Sequence, residues 1–223
     1  MPLALYYHPL ASFCHKVLIA LYEHGIEFEK REINLGDDAE RAELQAIWPF
    51  AKFPVLRDHD RKRDLPETSI IIEYLDRYFA AERKLIPVDW DEALNVRLWD
   101  RIFDNYVQGP MQQIVVDRMR GAHGDLTKER ATLQTAYGMI DRHMASRTWI
   151  SSHGFSMAEC AAAPALFYAS TLEPLPEHCG HLLAYFERLV ERPSVRRVIA
   201  EAEPYFPLYP FVEAIPERFR GGA

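Results

Sequence analysis

The chain changes character once, near residue 80, and that change restricts its fold more than any other feature of the 223 residues. Before it, short apolar runs bounded by proline and charged clusters alternate with segments of helical period. Beyond it, no convincing strand alternation occurs. Leu3–Tyr7 reads as a first strand, stopped by His8 and Pro9. From Phe13 the apolar residues Val17, Ala20 and Leu21 recur three or four apart and predict a helix, which Gly25 ends because glycine takes a left-handed conformation without a Cβ penalty. Residues 26–34 alternate imperfectly with a period of two, as in a partly exposed strand, and residues 37–48 read as a short polar helix stopped by Pro49.

Next, Phe53-Pro54-Val55-Leu56 is an apolar run whose proline belongs at a strand's first residue or in a tight turn with a cis bond. The charged residues 57–64 predict a turn or hairpin, and residues 67–79 form an amphipathic helix carrying Ile70, Ile71, Tyr74, Leu75 and Tyr78. The order is βαβα followed by ββα. A mixed, proline-containing stretch places a linker at residues 81–91, leaving residues 1–80 as an α/β domain and residues 92–223 as an all-helical one. Helices are expected at 90–119, 127–146, 156–171, 182–192 and 194–203, with an irregular aromatic arm over 204–219.

Composition narrows the partners. A hydrophobic content of 48% supplies a sizeable core. The net charge is −7 with basic residues scattered, which gives no electrostatic footprint for nucleic acid or an anionic membrane. Cys14, Cys160 and Cys179 are widely separated and form no CxxC pair, arguing against a disulfide framework or structural zinc and for a reducing compartment. No apolar run approaches the roughly 20 residues of a membrane span. A cytoplasmic protein with a small-molecule or protein partner is expected.

Three places can carry chemistry. Ser12-Phe13-Cys14 opens the first helix directly after the first strand, where backbone amides and the helix dipole hold an anion and lower a thiol's pKa. The plain alternative is that Ser12 caps the helix and Cys14 is a buried apolar residue. Lys52-Phe53-Pro54 can present the amide and carbonyl of Phe53 to a peptide-like ligand, or simply enter an edge strand. Glu67-Thr68 begins a helix, where free amides and a hydroxyl bind a carboxylate while Glu67 answers an ammonium; the alternative is ordinary capping. His178, Cys179 and His181 lack a second set of ligands, so no metal is expected. On the first long helix, Trp99, Phe103, Tyr106 and Met111 either line a pocket or belong to the core.

Together these places hold a thiol-stabilising group, a backbone amide pair and an amino-acid corner, the inventory that glutathione requires. The chain resembles the cytosolic glutathione transferase superfamily along most of its length. The resemblance rests on the βαβαββα order, Phe53-Pro54-Val55 where the family has its cis-proline, and Glu67-Thr68 in place of the usual acidic residue and serine. It extends to Phe155-Ser156-Met157-Ala158-Glu159, similar to the family's N-capping box, in which Ser156 bonds the amide of Glu159 while Glu159 reaches back.

The resemblance implies a thioredoxin-like α/β N-terminal domain, an all-α C-terminal helical bundle and a homodimer. Glutathione is then the co-substrate, without metal or nucleotide, held at Lys52, Phe53, Pro54, Glu67 and Thr68. A small hydrophobic electrophile sits near Phe103, Tyr106 and Met111, and the expected role is conjugation in detoxification. The alternatives are a glutathione-dependent disulfide reductase, isomerase or dehalogenase, or a non-catalytic glutathione-binding or protein-interaction module. One departure matters: the family's catalytic serine or cysteine stands three residues before the position of Cys14, and that position is Ala11. Alanine neither donates nor attacks. Ser12 and Cys14 are therefore the catalytic candidates, with Tyr6, Tyr7 or a backbone amide behind them.

Overall fold

A computed structural model describes residues 2–80, 84–152 and 154–221. Its element order is β1 (Leu3–Tyr7), α1 (Ser12–Glu23), β2 (Glu29–Glu32), α2 (Asp38–Ile47), β3 (Val55–Asp58), β4 (Arg63–Pro66) and α3 (Thr68–Tyr78), then helices alone. These are α4 (Trp90–Ile102), a π-helical segment (Phe103–Gln108), α5 (Gly109–Met119), α6 (Thr127–Met144), α7 (Met157–Ser170), α8 (Gly180–Val190) and α9 (Pro193–Ala202). The expected fold class is therefore present: an α/β unit with a four-stranded mixed sheet, followed by a helical one.

The sheet order is β2-β1-β3-β4, with β1 parallel to β2 and antiparallel to β3, and β3 antiparallel to β4. Because strand side chains alternate faces, Leu3, Leu5 and Tyr7 of β1 join the main core with α1 and α3, while Ala4 and Tyr6 meet Ile33, Leu44 and Val55 beneath α2. The charged turn opens into a true hairpin, since Arg57 in β3 pairs with Asp64 in β4 through backbone register and side chains, Nε to Oδ1 at 2.6 Å.

The main core does not stop at the boundary expected near residue 80 but runs from β1 through Ile215. Its centre is α7, buried from Met157 to Ala169 and packed against α1, α4, the π segment and α8. A helix apolar on every side must be enclosed on every side. The expected linker is strapped down where it is described: Asp76 accepts the Leu85 and Ile86 amides at 3.0 and 2.7 Å, and the Leu85 carbonyl accepts the Met157 amide at 3.0 Å. Residues 81–83 of that linker lie outside the described residues. Beyond α9 the expected irregular arm is a series of short 3-10 turns at Glu203–Leu208, Val212–Ala214 and Glu217–Phe219. No helix among the described residues is long and apolar enough to cross a membrane.

Candidate functional site

Strand register builds the site. Tyr6 lies opposite Val55, and Val55 opposite Pro66. Extending each strand by one or two residues brings His8, the cis Phe53–Pro54 bond and Glu67 to one edge of the sheet, and the ring of His8 stacks on Phe53 with centroids 6.1 Å apart. From His8 a short loop held by Ala11 N–H to His8 O at 3.0 Å delivers the N-terminus of α1 to the same edge. From Glu67 the chain enters α3, and Ser69 in its first turn accepts a hydrogen bond from Lys16 of α1 at 3.1 Å. The three expected places thus converge.

At the Phe53 corner, neither the amide nor the carbonyl of Phe53 takes a backbone partner among the described residues. Lys52 beside it is exposed. Glu67 is exposed and has φ 70°, ψ 114°, a backbone conformation that a side-chain-bearing residue adopts at a cost of about 1–3 kcal/mol. Neither Glu67 nor another side chain caps α3, and Thr68, nearly buried, opens it. Simple capping is therefore not what these two residues do.

The first turn of α1 departs from the plain expectation for Ser12 and matches the one for Cys14. Its N-cap is Ala11, no side chain caps it, and Ser12 is the first helical residue. The half-buried Ser12 hydroxyl accepts a hydrogen bond from the side-chain amide of Gln108, 96 positions away in the π segment. Cys14 faces inward and is fully buried, and burial pushes its thiol up to about 12, outweighing a hydrogen bond to the His8 backbone. The lowered thiol expected from its place in the helix is thus corrected: desolvation exceeds the helix-terminus effect. Beside it, burial lowers His15 to about 4, so the ring is neutral and its Nε2–H donates to the Pro9 carbonyl at 2.5 Å.

Behind this edge lies a buried charge cluster. Lys16, 1% exposed, places Nζ 2.6 Å from Asp100 Oδ1 and 2.8 Å from Asp104 Oδ2. Burial raises the Asp104 carboxyl against the opposing pull of Lys16. Arg101 also reaches Asp100, Asp104 and Ser69. This cluster ties α1, α3 and α4 together, and single-residue patterns do not reveal it.

The remaining candidates are placed as follows. Tyr7 donates to Glu32 at 3.4 Å, and Tyr6 accepts from Arg57 at 3.2 Å, so both hydroxyls have partners within the sheet. Phe103 and Met111 are core residues, 0% and 3% exposed, and do not present faces to a cleft; of the expected acceptor set only Tyr106 is exposed. A surface groove of about 360 Å³ lies elsewhere, between α8, α9 and Phe219. Among the described residues no group of three or more His, Cys, Asp or Glu side chains is arranged to hold a metal ion.

Comparison with known proteins agrees with this architecture. The family described as glutathione S-transferase, N-terminal domain, matches residues 5–83, and the one described as glutathione S-transferase, C-terminal domain, matches residues 119–193. The chain belongs to the glutathione transferase superfamily. Relatives include glutathione S-transferase GstB of Escherichia coli K12, 27% identical over 82% of this chain and 91% of its own. The stringent starvation protein A homolog of Coxiella burnetii is 26% identical over 90% of this chain and 93% of its own. A glutathione S-transferase of Methylobacillus flagellatus, solved with glutathione bound, superposes with TM-score 0.77 at 22% identity, covering 88% of this chain and 98% of its own.

Proposed function

We propose that this protein binds glutathione at the shared edge of β1, β3 and α3 and conjugates it to a small hydrophobic electrophile. The observation that carries the reading is the convergence of the Phe53–Pro54 corner, the Glu67–Thr68 corner and the α1 N-terminus at one sheet edge. The amide and carbonyl of Phe53 pair with the peptide backbone of the tripeptide, and Lys52 lies alongside. Thr68 and the uncapped amides of α3 take its α-carboxylate while Glu67 answers its ammonium. The first turn of α1 then faces the sulfur, where the helix amides and the Ser12 hydroxyl favour the thiolate. Holding that thiolate beside an electrophile is the whole of the chemistry required. Tyr106 is the residue of the expected acceptor set that can meet such an electrophile.

Relatives solved with glutathione support the ligand. The exposed Trp90, Leu94 and Leu98, spaced four apart on α4, together with Ile70 of the adjoining α3, support a homodimer. Three buried cysteines agree with a cytoplasmic setting, and detoxification is the role such conjugation serves. The test is glutathione-dependent consumption of a panel of aryl halides, epoxides and enones, followed by mass spectrometry of the adducts. Thioether adducts whose rate of formation at subsaturating glutathione falls with Glu67→Ala support the reading.

A second reading, glutathione binding without turnover, is favoured by Ala11, which removes the reactive side chain from the family's catalytic position. Binding by calorimetry with no adduct from any electrophile decides for it. Disulfide reduction through Cys14 is disfavoured by the burial of its thiol.

A further inference from the structure

The half-buried Ser12 hydroxyl has a partner that no strand-level pattern foretells. Two rungs link α1 to the π segment: Lys16 meets Asp104, and Ser12 meets Gln108. Positions 12 and 16 stand one turn apart on α1, and positions 104 and 108 stand four apart in a segment whose wider turn is rare and concentrated at functional sites. The inner rung is an anchor. Lys16 is held by Asp100, Asp104 and Ser69 and is closed to solvent, so the spacing of the two elements is fixed beside the outer rung. Gln108 is itself 2% exposed, whereas Ser12 is only partly buried and stands at the open edge.

A hydroxyl has one hydrogen and two acceptor lone pairs. The Gln108 amide fills an acceptor position and so turns the hydrogen away from itself. Among the described residues no acceptor within the protein takes that hydrogen. A hydroxyl that accepts from an amide is also polarised into a stronger donor. We propose that Gln108 is a positioning residue that aims the Ser12 hydroxyl outward as a donor to the glutathione sulfur, replacing from the helical domain the side chain that Ala11 no longer supplies. The inference rests on the glutathione site proposed above. No covalent step falls to either residue; the thiol proton leaves to water and the hydroxyl stabilises the anion that remains.

The test measures the thiol pKa of bound glutathione, from ultraviolet absorbance of the thiolate across pH, with affinity followed by calorimetry. Ser12→Ala raises that pKa by about one unit, the order of a hydrogen bond to an anion. Gln108→Met keeps the length but not the amide, and its shift is in the same direction. In the Ser12→Ala/Gln108→Met double variant the shift equals that of Ser12→Ala alone, because Gln108 acts through Ser12. Gln108→Glu keeps size and polarity but only accepts, drawing the hydroxyl hydrogen inward, and raises the pKa at least as far as Ser12→Ala. A merely structural Gln108 lowers the unfolding midpoint and leaves the bound thiol pKa unmoved, which overturns the proposal. So do shifts that add in the double variant. Glutathione that fails to bind the wild type overturns the parent reading instead, and this one with it.

Discussion

Replacing Ser156 by alanine tests how the helical domain is held. The Ser156 hydroxyl accepts from the Ala158 amide at 3.2 Å and donates to Glu159 Oε2 at 2.6 Å, while the Ser156 amide donates to the same oxygen at 2.8 Å. The expected capping box is thus present, and it is also the floor of a buried carboxylate site. Loss of the cap alone costs about 1 kcal/mol. Loss of a donor to a buried charge adds about 1.5–3 kcal/mol, because burial already raises the Glu159 carboxyl and its donors oppose that rise. The total is roughly 2.5–4 kcal/mol. Urea unfolding followed by tryptophan fluorescence suits the measurement, since Trp149 packs on Phe155 and near Tyr185 around this site. With a slope near 3 kcal/mol/M for a chain of this size, the midpoint falls by about 1 M. Glutathione affinity stays unchanged, because the box lies at the opposite end of α7 from Tyr168, which bonds the Leu10 carbonyl beside the site, roughly 17 Å away at 1.5 Å per residue. An unmoved midpoint, or lost binding at unchanged stability, refutes the reasoning.

Glu159→Gln also destabilises although it removes a buried charge, because Oε1 faces the Ile150 amide and the Tyr185 hydroxyl while Oε2 faces Ser156, so the new amide must point at donors; thermal melting reads the loss. His15 has a folded pKa lowered to about 4, so its contribution is present above pH 6.5 and is lost as pH falls toward 4, by up to about 3 kcal/mol. The stability of His15→Gln, measured by urea titration at each pH, therefore falls less steeply than that of wild type across this range. Cys14 resists thiol-directed reagents in the folded protein and reacts after denaturation, and Cys14→Ser leaves any conjugation rate largely unchanged; prompt labelling of the native thiol, seen by mass spectrometry, contradicts this.

The sheet and its edge were legible because their signals are local. Pro54 announced a strand entry, Gly25 takes φ +62° where the first helix was expected to stop, and Ser156 with Glu159 spelled its own capping box. What could not be read depends on contacts far apart in the chain. Residues 90–119 read as one helix, but its middle is a π segment, and nothing in its spacing says that Gln108 meets Ser12. Cys14 occupies a helical first turn, which pattern associates with a reactive thiol, yet its direction into the core follows from packing. Phe103 and Met111 show the same limit, since an aromatic stripe looks alike whether it faces a cleft or a neighbouring helix. The charged residues 57–64 read as a turn or hairpin without placing its second strand, which register with β3 sets at Arg63–Pro66.

The central claim is that the edge shared by β1, β3 and α3 is a glutathione site, and isothermal calorimetry of the wild type and Glu67→Ala with reduced glutathione tests it most directly. The account predicts saturable one-site binding to the wild type and an affinity about tenfold to a hundredfold weaker for the variant, from loss of a charged hydrogen bond of about 1.5–3 kcal/mol. No heat of binding to the wild type, or equal affinity for both proteins, contradicts it.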